Sequence, residues 1–274
     1  MTARWRRLTV PRLVGAACCA LLIGTGLTAC SSDSSKTLSF CTDPTYPPAE
    51  FYQVQKVGTA DLKRVLVGAD IDIGRAVAKR LKKTAKYVDT KFEKIIPALQ
   101  DKKCDAIISF INDTAQRRTQ MTFVNYLGAG QDVMLKKDAT PVNAVADLYG
   151  RTVSVATGTT EEDFLKAQNS SAPSGKQITI KSFASENDAI LALTKGTVQV
   201  YFGDAPIVQS AVAADNSLVQ GAELVKPVPI GIALRPGDEL IGPIQKAIKD
   251  MYNDGTMGKI LSTWKFSRYA ITPS

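Results

Sequence analysis

Histidine is missing from this chain of 274 residues, and its absence excludes several kinds of chemistry. Catalytic triads with a histidine base, HExxH zinc sites and other histidine general bases are all ruled out. The phosphate-binding pattern GxxxxGK[ST] is also missing, so nothing indicates nucleotide hydrolysis. Lysines and arginines form no basic block and do not alternate with aromatic residues, which argues against a nucleic-acid partner. We therefore expect no metal, no cofactor and no nucleic acid.

The first thirty residues have the features of an export signal. Four arginines form a positive beginning without any acidic residue: Arg4, Arg6, Arg7 and Arg12. The stretch 13–27 that follows is apolar or small, and it is too short to span a bilayer comfortably. Because these charges belong to the signal, the remaining chain is less basic than the formal net charge of +8 indicates.

Residues 27–30, Leu-Thr-Ala-Cys, lie at the end of this region and resemble the lipobox of bacterial lipoproteins. In a lipobox the cysteine receives a diacylglycerol group and becomes the new N-terminus. We therefore predict that residues 1–29 are a lipoprotein signal peptide and that Cys30 anchors the protein to the outer face of the cell membrane. A plain secretory signal with a coincidental cysteine is the alternative. Residues 30–36 are polar and predict a flexible tether.

Two cysteines, Cys41 and Cys104, remain after the predicted processing. They form an even pair in an oxidising compartment, and both flank apolar runs that we predict to be neighbouring strands. A disulfide between them is one expectation. Two buried free thiols are the alternative, because the sequence does not supply the Cα separation that a disulfide needs.

The hydrophobic pattern predicts alternating strands and helices. Strands are expected at 38–42, 85–88, 105–109, 151–155, 178–182, 198–202 and 230–234. Amphipathic helices are expected at 70–81, 92–100, 185–193, 238–252 and 255–264, whereas residues 56–68 are expected to form a loop. This alternation predicts an α/β fold of two units with a parallel sheet, in which the C-terminal segment returns to the first unit.

Polar side chains follow the predicted strand 105–109. Ser109 ends this strand, Asn112 comes next, and Arg117 lies near the start of a predicted helix. Ligands of open α/β sheets bind outside the carboxyl ends of the strands. A guanidinium group matches a carboxylate through two parallel hydrogen bonds. We therefore predict a carboxylate-binding site at this edge of the sheet.

These segments and several others resemble the extracellular solute-binding proteins of family 3, the polar amino-acid receptors of ABC importers. The resemblance covers nearly all of residues 37–266. Its markers are DPTYPPAEF, GADIDIGRAVAKRL, FEKIIPALQDKKCDAIIS, NDTAQRRTQMTF, VSVATGTTEEDFL, ALTKGTVQVYFGD, ALRPGDEL and MYNDGTMGKILSTW. It implies a type II periplasmic-binding-protein fold, in which two α/β lobes are joined by two hinge strands and enclose a ligand cleft. Residues 37–128 and 230–274 would form lobe 1, and residues 129–229 would form lobe 2.

The resemblance assigns the two ends of a zwitterionic ligand to three residues. Arg117 matches the arginine that binds the ligand α-carboxylate, and Thr160 matches a threonine that donates to the same group. The helix N-terminus at Thr160 also favours an anion. Asp204, past the end of the predicted strand 198–202, matches the aspartate that accepts from the α-ammonium group.

Five further residues match positions around the ligand side chain. Tyr46 and Phe92 match aromatic residues that sandwich the ligand. Ser109 and Asn112 match positions that line the side-chain pocket, and Asp43 matches a position that often meets the side chain. Asp43 and Asn112 favour a polar or basic side chain over a bulky apolar one.

The resemblance implies a binding protein that captures a polar or basic amino acid by lobe closure. It would deliver the ligand to a membrane permease and its ATPase. Phe110 stands where many members have a small or polar residue, so we expect a narrower pocket. The alternative is an extracytoplasmic enzyme on the same fold, similar to cyclohexadienyl dehydratase, in which Asp43 or Asp204 acts as general acid or base.

Overall fold

Two long strands cross the centre of the molecule and connect two parallel halves of one sheet. The computed structural model describes residues 36–57 and 61–272. The strands are β1 (Thr37–Thr42), β2 (Thr45–Tyr46), β3 (Glu50–Val57), β4 (Asp61–Val67), β5 (Thr84–Asp89), β6 (Ala106–Ile107), β7 (Thr122–Lys136), β8 (Thr152–Ala156), β9 (Thr179–Phe183), β10 (Val200–Asp204) and β11 (Leu218–Leu234).

The helices alternate with the strands and cover the sheet. They are α1 (Ala69–Arg80), α2 (Phe92–Gln100), α3 (Ala115–Arg118), α4 (Thr160–Asn169), α5 (Glu186–Thr194), α6 (Ala205–Ala214), α7 (Ile241–Asn253) and α8 (Thr256–Thr263). Short 3-10 helices occupy Val145–Leu148 and Ser267–Tyr269. Within the described ranges, no helix combines the length and the apolar composition that a membrane span requires.

The main sheet has eight strands in the order β5-β1-β6-β11-β7-β10-β8-β9. We call β5, β1 and β6 the first half and β10, β8 and β9 the second half. Strands within each half pair in parallel, whereas β7 and β11 run antiparallel to each other and to their outer neighbours. The α/β fold predicted from the alternating pattern is confirmed. The lobe boundaries placed near residues 128 and 229 fall inside β7 and β11, and this division remains a prediction.

The segment 56–68 differs from its prediction. Its residues 56–57 and 61–67 belong to two neighbouring strands, because β3 and β4 pair antiparallel from Phe51–Val67 to Val57–Asp61. With β2 they form a separate three-stranded sheet. The segment ends in an apolar run, Val65-Leu66-Val67, whose β-branched valines favour a strand, and this preference outweighs the high charge of the segment.

Apolar side chains fix the elements that carry the site. In α2, Ile95 and Leu99 are fully buried, and they belong to one cluster with the cysteines Cys41 and Cys104. The structure joins these cysteines by a disulfide with a Cα–Cα distance of 5.6 Å. Burying each large aliphatic side chain contributes about 1.5–3 kcal/mol. The first turn of α2 is therefore held firmly beside the end of β1.

Candidate functional site

A cavity lies beyond the carboxyl ends of the parallel strands, between the two halves of the sheet. Residues after β1 and β6 line it from the first half. Residues after β8 and β9, together with the last residue of β10, line it from the second half. Six of the eight residues predicted from the sequence contribute to its wall: Asp43, Tyr46, Phe92, Ser109, Asn112 and Asp204. These six side chains therefore surround one space at the strand ends, which is where open α/β sheets bind their ligands.

A chain of hydrogen bonds fixes the first-half wall. The Asp43 backbone N–H donates to Ser109 Oγ at 2.9 Å, and the Ser109 hydroxyl donates to Glu50 Oε1 at 2.8 Å. Asp43 Oδ2 accepts from the Phe92 N–H at 2.8 Å, so this carboxyl group also satisfies a free donor at the start of α2. Asp43 and Ser109 are thus held in fixed orientations at the cavity edge.

Hydrogen bonds also cross the cavity between the two halves. The Tyr46 hydroxyl donates to Asp204 Oδ2 at 2.6 Å, and Asn112 Nδ2 donates to Asp204 Oδ1 at 3.5 Å. The Thr160 hydroxyl donates to Asn112 Oδ1 at 3.0 Å. Polar residues from both halves therefore meet directly, with Asp204 and Asn112 at the centre of the contact.

Arg117 and Thr160 lie just behind the cavity wall rather than in it. Arg117 is 8% exposed, and its guanidinium donates to the backbone oxygens of Asn112 at 3.0 Å and Gly158 at 3.3 Å. Its Cζ atom lies 5.6 Å from the centre of the Phe92 ring. Burial lowers the pKa of Arg117, and the carboxylates around it, with Glu161 foremost, oppose this shift. Arg117 therefore touches two residues that line the cavity.

Two side chains fix the start of α4. Thr159 caps the helix, because its hydroxyl accepts from the Glu162 N–H at 3.3 Å. The Glu162 carboxylate reaches one residue further and accepts from the Gly158 N–H at 2.9 Å. Thr160 follows as the first helical residue and accepts from Gln131 Nε2 at 2.6 Å. The positive end of α4 thus points toward the site.

The cavity wall is strongly acidic. Five carboxyl groups line it, and no lysine or arginine is among the described residues of its wall. The five residues are Asp43, Glu50, Glu161, Glu186 and Asp204. Burial raises the pKa of each of them, well above the usual range for Glu50 and Asp204 and to about 8 for Glu186.

Two of these carboxyl groups have an oxygen without a partner. Glu50 Oε2 and Glu161 Oε1 are both buried and form no hydrogen bond in the structure. Glu50 is 1% exposed and Glu161 is 4% exposed. A buried polar atom without a partner is costly, and such atoms are rare in folded proteins. The wall therefore presents acceptors that suit a donor placed in the cavity.

Three of the acidic wall residues escaped the sequence analysis: Glu50, Glu161 and Glu186. A signal for two of them was present. Glu161 directly follows Thr160, and Glu186 follows the carboxyl end of β9, so the rule applied to Asp204 would have found Glu186 as well. Glu50 had no such signal, because it begins a strand of the separate small sheet.

Phe110 narrows one side of the cavity. Its backbone φ is 46°, and its ring lies 5.7 Å from that of Tyr46 and 5.7 Å from that of Phe266. The side chain is 2% exposed and lines the cavity. The aromatic residue therefore occupies space beside Tyr46 that a smaller residue would leave open.

The fold and site together define a class of protein. Two α/β halves, crossed by two long strands and enclosing a polar cavity at their strand ends, form the α/β periplasmic-binding-protein fold. Residues 38–267 match the bacterial extracellular solute-binding proteins, family 3, and the chain belongs to this family. Among the described residues, no group of three or more side chains is suited to hold a metal ion.

Three similar proteins illustrate the relationship. The chain is 28% identical to ABC transporter arginine-binding protein 1 of Escherichia coli K12, over 85% of this chain and 92% of that protein. It is 32% identical to the histidine-binding periplasmic protein of Salmonella typhimurium, over 80% of this chain and 84% of the other. A solved structure of an ancestral arginine-binding protein bound to arginine has 31% identity and a TM-score of 0.75, over 84% of this chain and 98% of the other.

Proposed function

We propose that this protein captures an amino acid with a cationic side chain and delivers it to the permease and ATPase of an ABC importer. The observation that carries the proposal is the charge of the cavity, whose wall holds five carboxyl groups and no basic side chain among its described residues. A cationic ligand gives these buried carboxyl groups a counter-charge in a low-dielectric space, whereas a neutral ligand does not. The names of the relatives, which bind arginine and histidine, support the same class of ligand.

The two ends of the ligand backbone have different partners in this proposal. The α-carboxylate pairs with Arg117, which is buried and already contacts Phe92 and Asn112 at the wall. Thr160 and the N-terminus of α4 add to the attraction for this anion. The α-ammonium group pairs with Asp204, whose two oxygens now accept from the neutral donors Tyr46 and Asn112.

The ligand side chain extends along the acidic part of the wall. Tyr46 and Phe92 provide aromatic surfaces for its aliphatic portion, and Ser109 and Asn112 provide polar contacts. A cation at its end finds acceptors among the carboxyl groups, including the unpartnered oxygen of Glu50. Each such charge-assisted hydrogen bond contributes about 1.5–3 kcal/mol.

Binding is coupled to closure of two lobes in this proposal, with residues 37–128 and 230–274 in one lobe and 129–229 in the other. The hydrogen bonds from Tyr46 and Asn112 to Asp204 support this, because they join residues from opposite halves. We also propose that residues 1–29 are removed, that Cys30 carries a lipid anchor at the outer face of the cell membrane, and that residues 30–36 form the tether. These residues, except Lys36, lie outside the part of the chain that the structure describes.

The proposal is for a binding protein and not for an enzyme similar to cyclohexadienyl dehydratase. The relatives that the chain matches are named for binding arginine and histidine. Asp204 is fixed in place by Tyr46 and Asn112, and Asp43 holds the start of α2 through the Phe92 N–H. These contacts suit groups that bind and orient.

The test is isothermal titration calorimetry with L-arginine and L-lysine on the wild type, Arg117→Ala and Arg118→Ala. Loss of Arg117 leaves the ligand carboxylate buried without its partner, so we expect a loss of about 3 kcal/mol or more, or over 100-fold in affinity. Arg118 is the matched control, since it lies next in the chain with 61% of its side chain exposed and pairs with Asp113. Its variant should bind within about twofold of the wild type, because Arg118 does not line the cavity; loss of its pair with the buried Asp113 carboxylate should lower stability rather than affinity.

A thermal-shift panel of the twenty amino acids with ornithine and citrulline identifies the ligand class. A ligand that binds only the folded protein raises the unfolding midpoint. The proposal predicts the largest shifts with arginine, lysine, ornithine or histidine. Larger shifts with acidic or apolar amino acids, or unchanged affinity in Arg117→Ala, would contradict it.

A further inference from the structure

We infer that Glu186 determines ligand specificity by holding the distal cation of the ligand from the second half of the protein, opposite Asp43, which the family resemblance already assigns to the ligand side chain. The inference rests on the proposed function and makes it more specific. It assigns the end of the ligand side chain to one carboxylate from each half. The ligand would accordingly be an amino acid with an ammonium or guanidinium group at the end of an extended side chain.

Glu186 has the placement of a binding residue. It is the first residue of α5 and follows Ser185, whose hydroxyl accepts from the Asp188 N–H at 3.2 Å and caps the helix. Glu186 is 5% exposed, and it lines the cavity from the second half. The Tyr201 hydroxyl donates to its Oε1 atom, so one oxygen is anchored while the carboxylate remains at the wall.

Asp43 approaches the same space from the first half. It is 6% exposed, lines the cavity, and has Oδ2 anchored by the Phe92 N–H at 2.8 Å. Burial is the largest cause that raises the pKa of Glu186, and the negative charges of Glu161 and Asp43 raise it further. Asp43 and Glu186 therefore line the same cavity from opposite sides.

The unpartnered oxygens of Glu50 and Glu161 are an independent sign that this wall receives a donor. Like charges from opposite halves oppose each other most strongly when water is excluded from between them. A cation between Glu186 and Asp43 converts this repulsion into two attractions, and a neutral group of the same shape does not. The pair therefore distinguishes a cationic from a neutral ligand side chain. It does so at the place where the two halves of the protein meet.

The experiment compares L-arginine with L-citrulline, in which a neutral ureido group replaces the guanidinium group. The full-length protein is titrated by calorimetry as wild type, Glu186→Gln and Asp188→Asn. Asp188 is the matched control, because it is an exposed carboxylate in the first turn of the same helix and does not line the cavity. Its variant keeps the wild-type preference for arginine over citrulline.

In Glu186→Gln we expect arginine affinity to fall about tenfold or more, the effect of losing one charge-assisted hydrogen bond. Citrulline affinity should change by less than about twofold, so the preference for arginine shrinks. Asp43→Asn removes the carboxylate of the other half and should reduce the preference for arginine in the same way. This second variant tests the inference if Glu186→Gln does not fold. A preference unchanged from the wild type in either folded variant would overturn the inference.

The outcome also separates this inference from the proposed function. If the wild type binds arginine, Arg117→Ala abolishes binding and Glu186→Gln retains the full preference for arginine, the inference fails alone. If the wild type binds no amino acid, the proposed function fails and the inference fails with it. Loss of arginine affinity with retained citrulline affinity in Glu186→Gln supports both.

Discussion

Asp70 provides a direct test of how burial controls the stability of this protein. It lies in the first turn of α1 and is fully buried. The Tyr126 hydroxyl donates to its Oδ1 atom at 2.7 Å, and the Phe110 N–H donates to Oδ2 at 2.7 Å. Burial raises the pKa of Asp70 to about 7, although both hydrogen bonds act in the opposite direction.

The direction of the pH effect follows from this shift. Below about pH 4 the carboxyl group is protonated in both the folded and the unfolded chain, and its contribution to stability is fully present. As the pH rises toward 7, the unfolded chain releases its proton first, so the free energy of unfolding falls. The change from the ordinary value of 3.8 to about 7 corresponds to roughly 4 kcal/mol. The nearby Glu50, whose pKa is also raised, adds a change of the same sign.

The substitution Asp70→Asn removes the ionisation and keeps the shape. Its side-chain oxygen can accept from the Phe110 N–H, and its amide can donate to the Tyr126 oxygen. We measure the free energy of unfolding in urea by circular dichroism at pH 4.5 and pH 7.5. The wild type should lose about 3 kcal/mol more than the variant between these two pH values, which is most of the roughly 4 kcal/mol associated with this group.

The control is Asp101→Asn, which makes the same chemical change at a side chain that is 62% exposed. This variant should follow the pH dependence of the wild type. If Asp70→Asn also loses stability in parallel with the wild type, the buried carboxyl group is not protonated in the folded protein near neutral pH. The reasoning that burial outweighs its two hydrogen bonds would then be refuted.

Two further predictions concern the architecture. Replacing both Cys41 and Cys104 by alanine opens a cross-link that spans 63 residues, which should destabilise the protein by about 4 kcal/mol and lower its Tm by roughly 10 °C, measured by calorimetry. A Tm equal to that of the oxidised wild type would contradict this. Gly68→Ala should cost roughly 3 kcal/mol or more in urea unfolding, because φ is +136° and a Cβ atom would overlap the Ala49 carbonyl. Gly150→Ala is its control, with a φ of +79° and no neighbour within 4 Å, and equal losses in the two variants would disprove the steric argument.

Periodic segments of the chain could be predicted from sequence, and the connecting segments could not. The helix predicted at 92–100 is found as α2, since its apolar residues recur at helical spacing. The strand predicted at 230–234 is only the end of β11, which begins at Leu218. The earlier part of β11 was not predicted because it contains Pro227 and Pro229, and proline argues against a strand. The structure accommodates them beside irregularities in the pairing with β7.

Helix α6, at Ala205–Ala214, was absent from the sequence prediction for a different reason. Its residues are apolar on nearly every side, so no helical periodicity separates a polar face from an apolar one. The proline at its beginning and Asp204 before it were compatible with a helix start but equally with a turn. Only packing against β7 and β11 decides between these conformations.

At the candidate site, too, the sequence predicted residues from their place in the order of elements but not from tertiary packing. Position after a strand led to Ser109, Asn112 and Asp204, because that rule needs only the order of the elements. The position of Glu186 after a strand could have been noticed, but the burial of Glu186 and Glu161 could not be predicted, since a glutamate in the first turn of a helix normally interacts with the helix dipole at the surface. Their role at the wall depends on how the two halves meet.

The acidic wall has a consequence that joins stability to recognition. Protons and a cationic ligand are two ways to neutralise the same buried carboxyl groups, and burial has raised the pKa of Glu186 to about 8. A neutral ligand leaves the protons in place and gains no charge pair. A cationic ligand replaces them with charge-assisted hydrogen bonds in a space where water competes weakly. Selectivity for charge therefore follows from how deeply the carboxyl groups are buried, even before any detail of shape is considered.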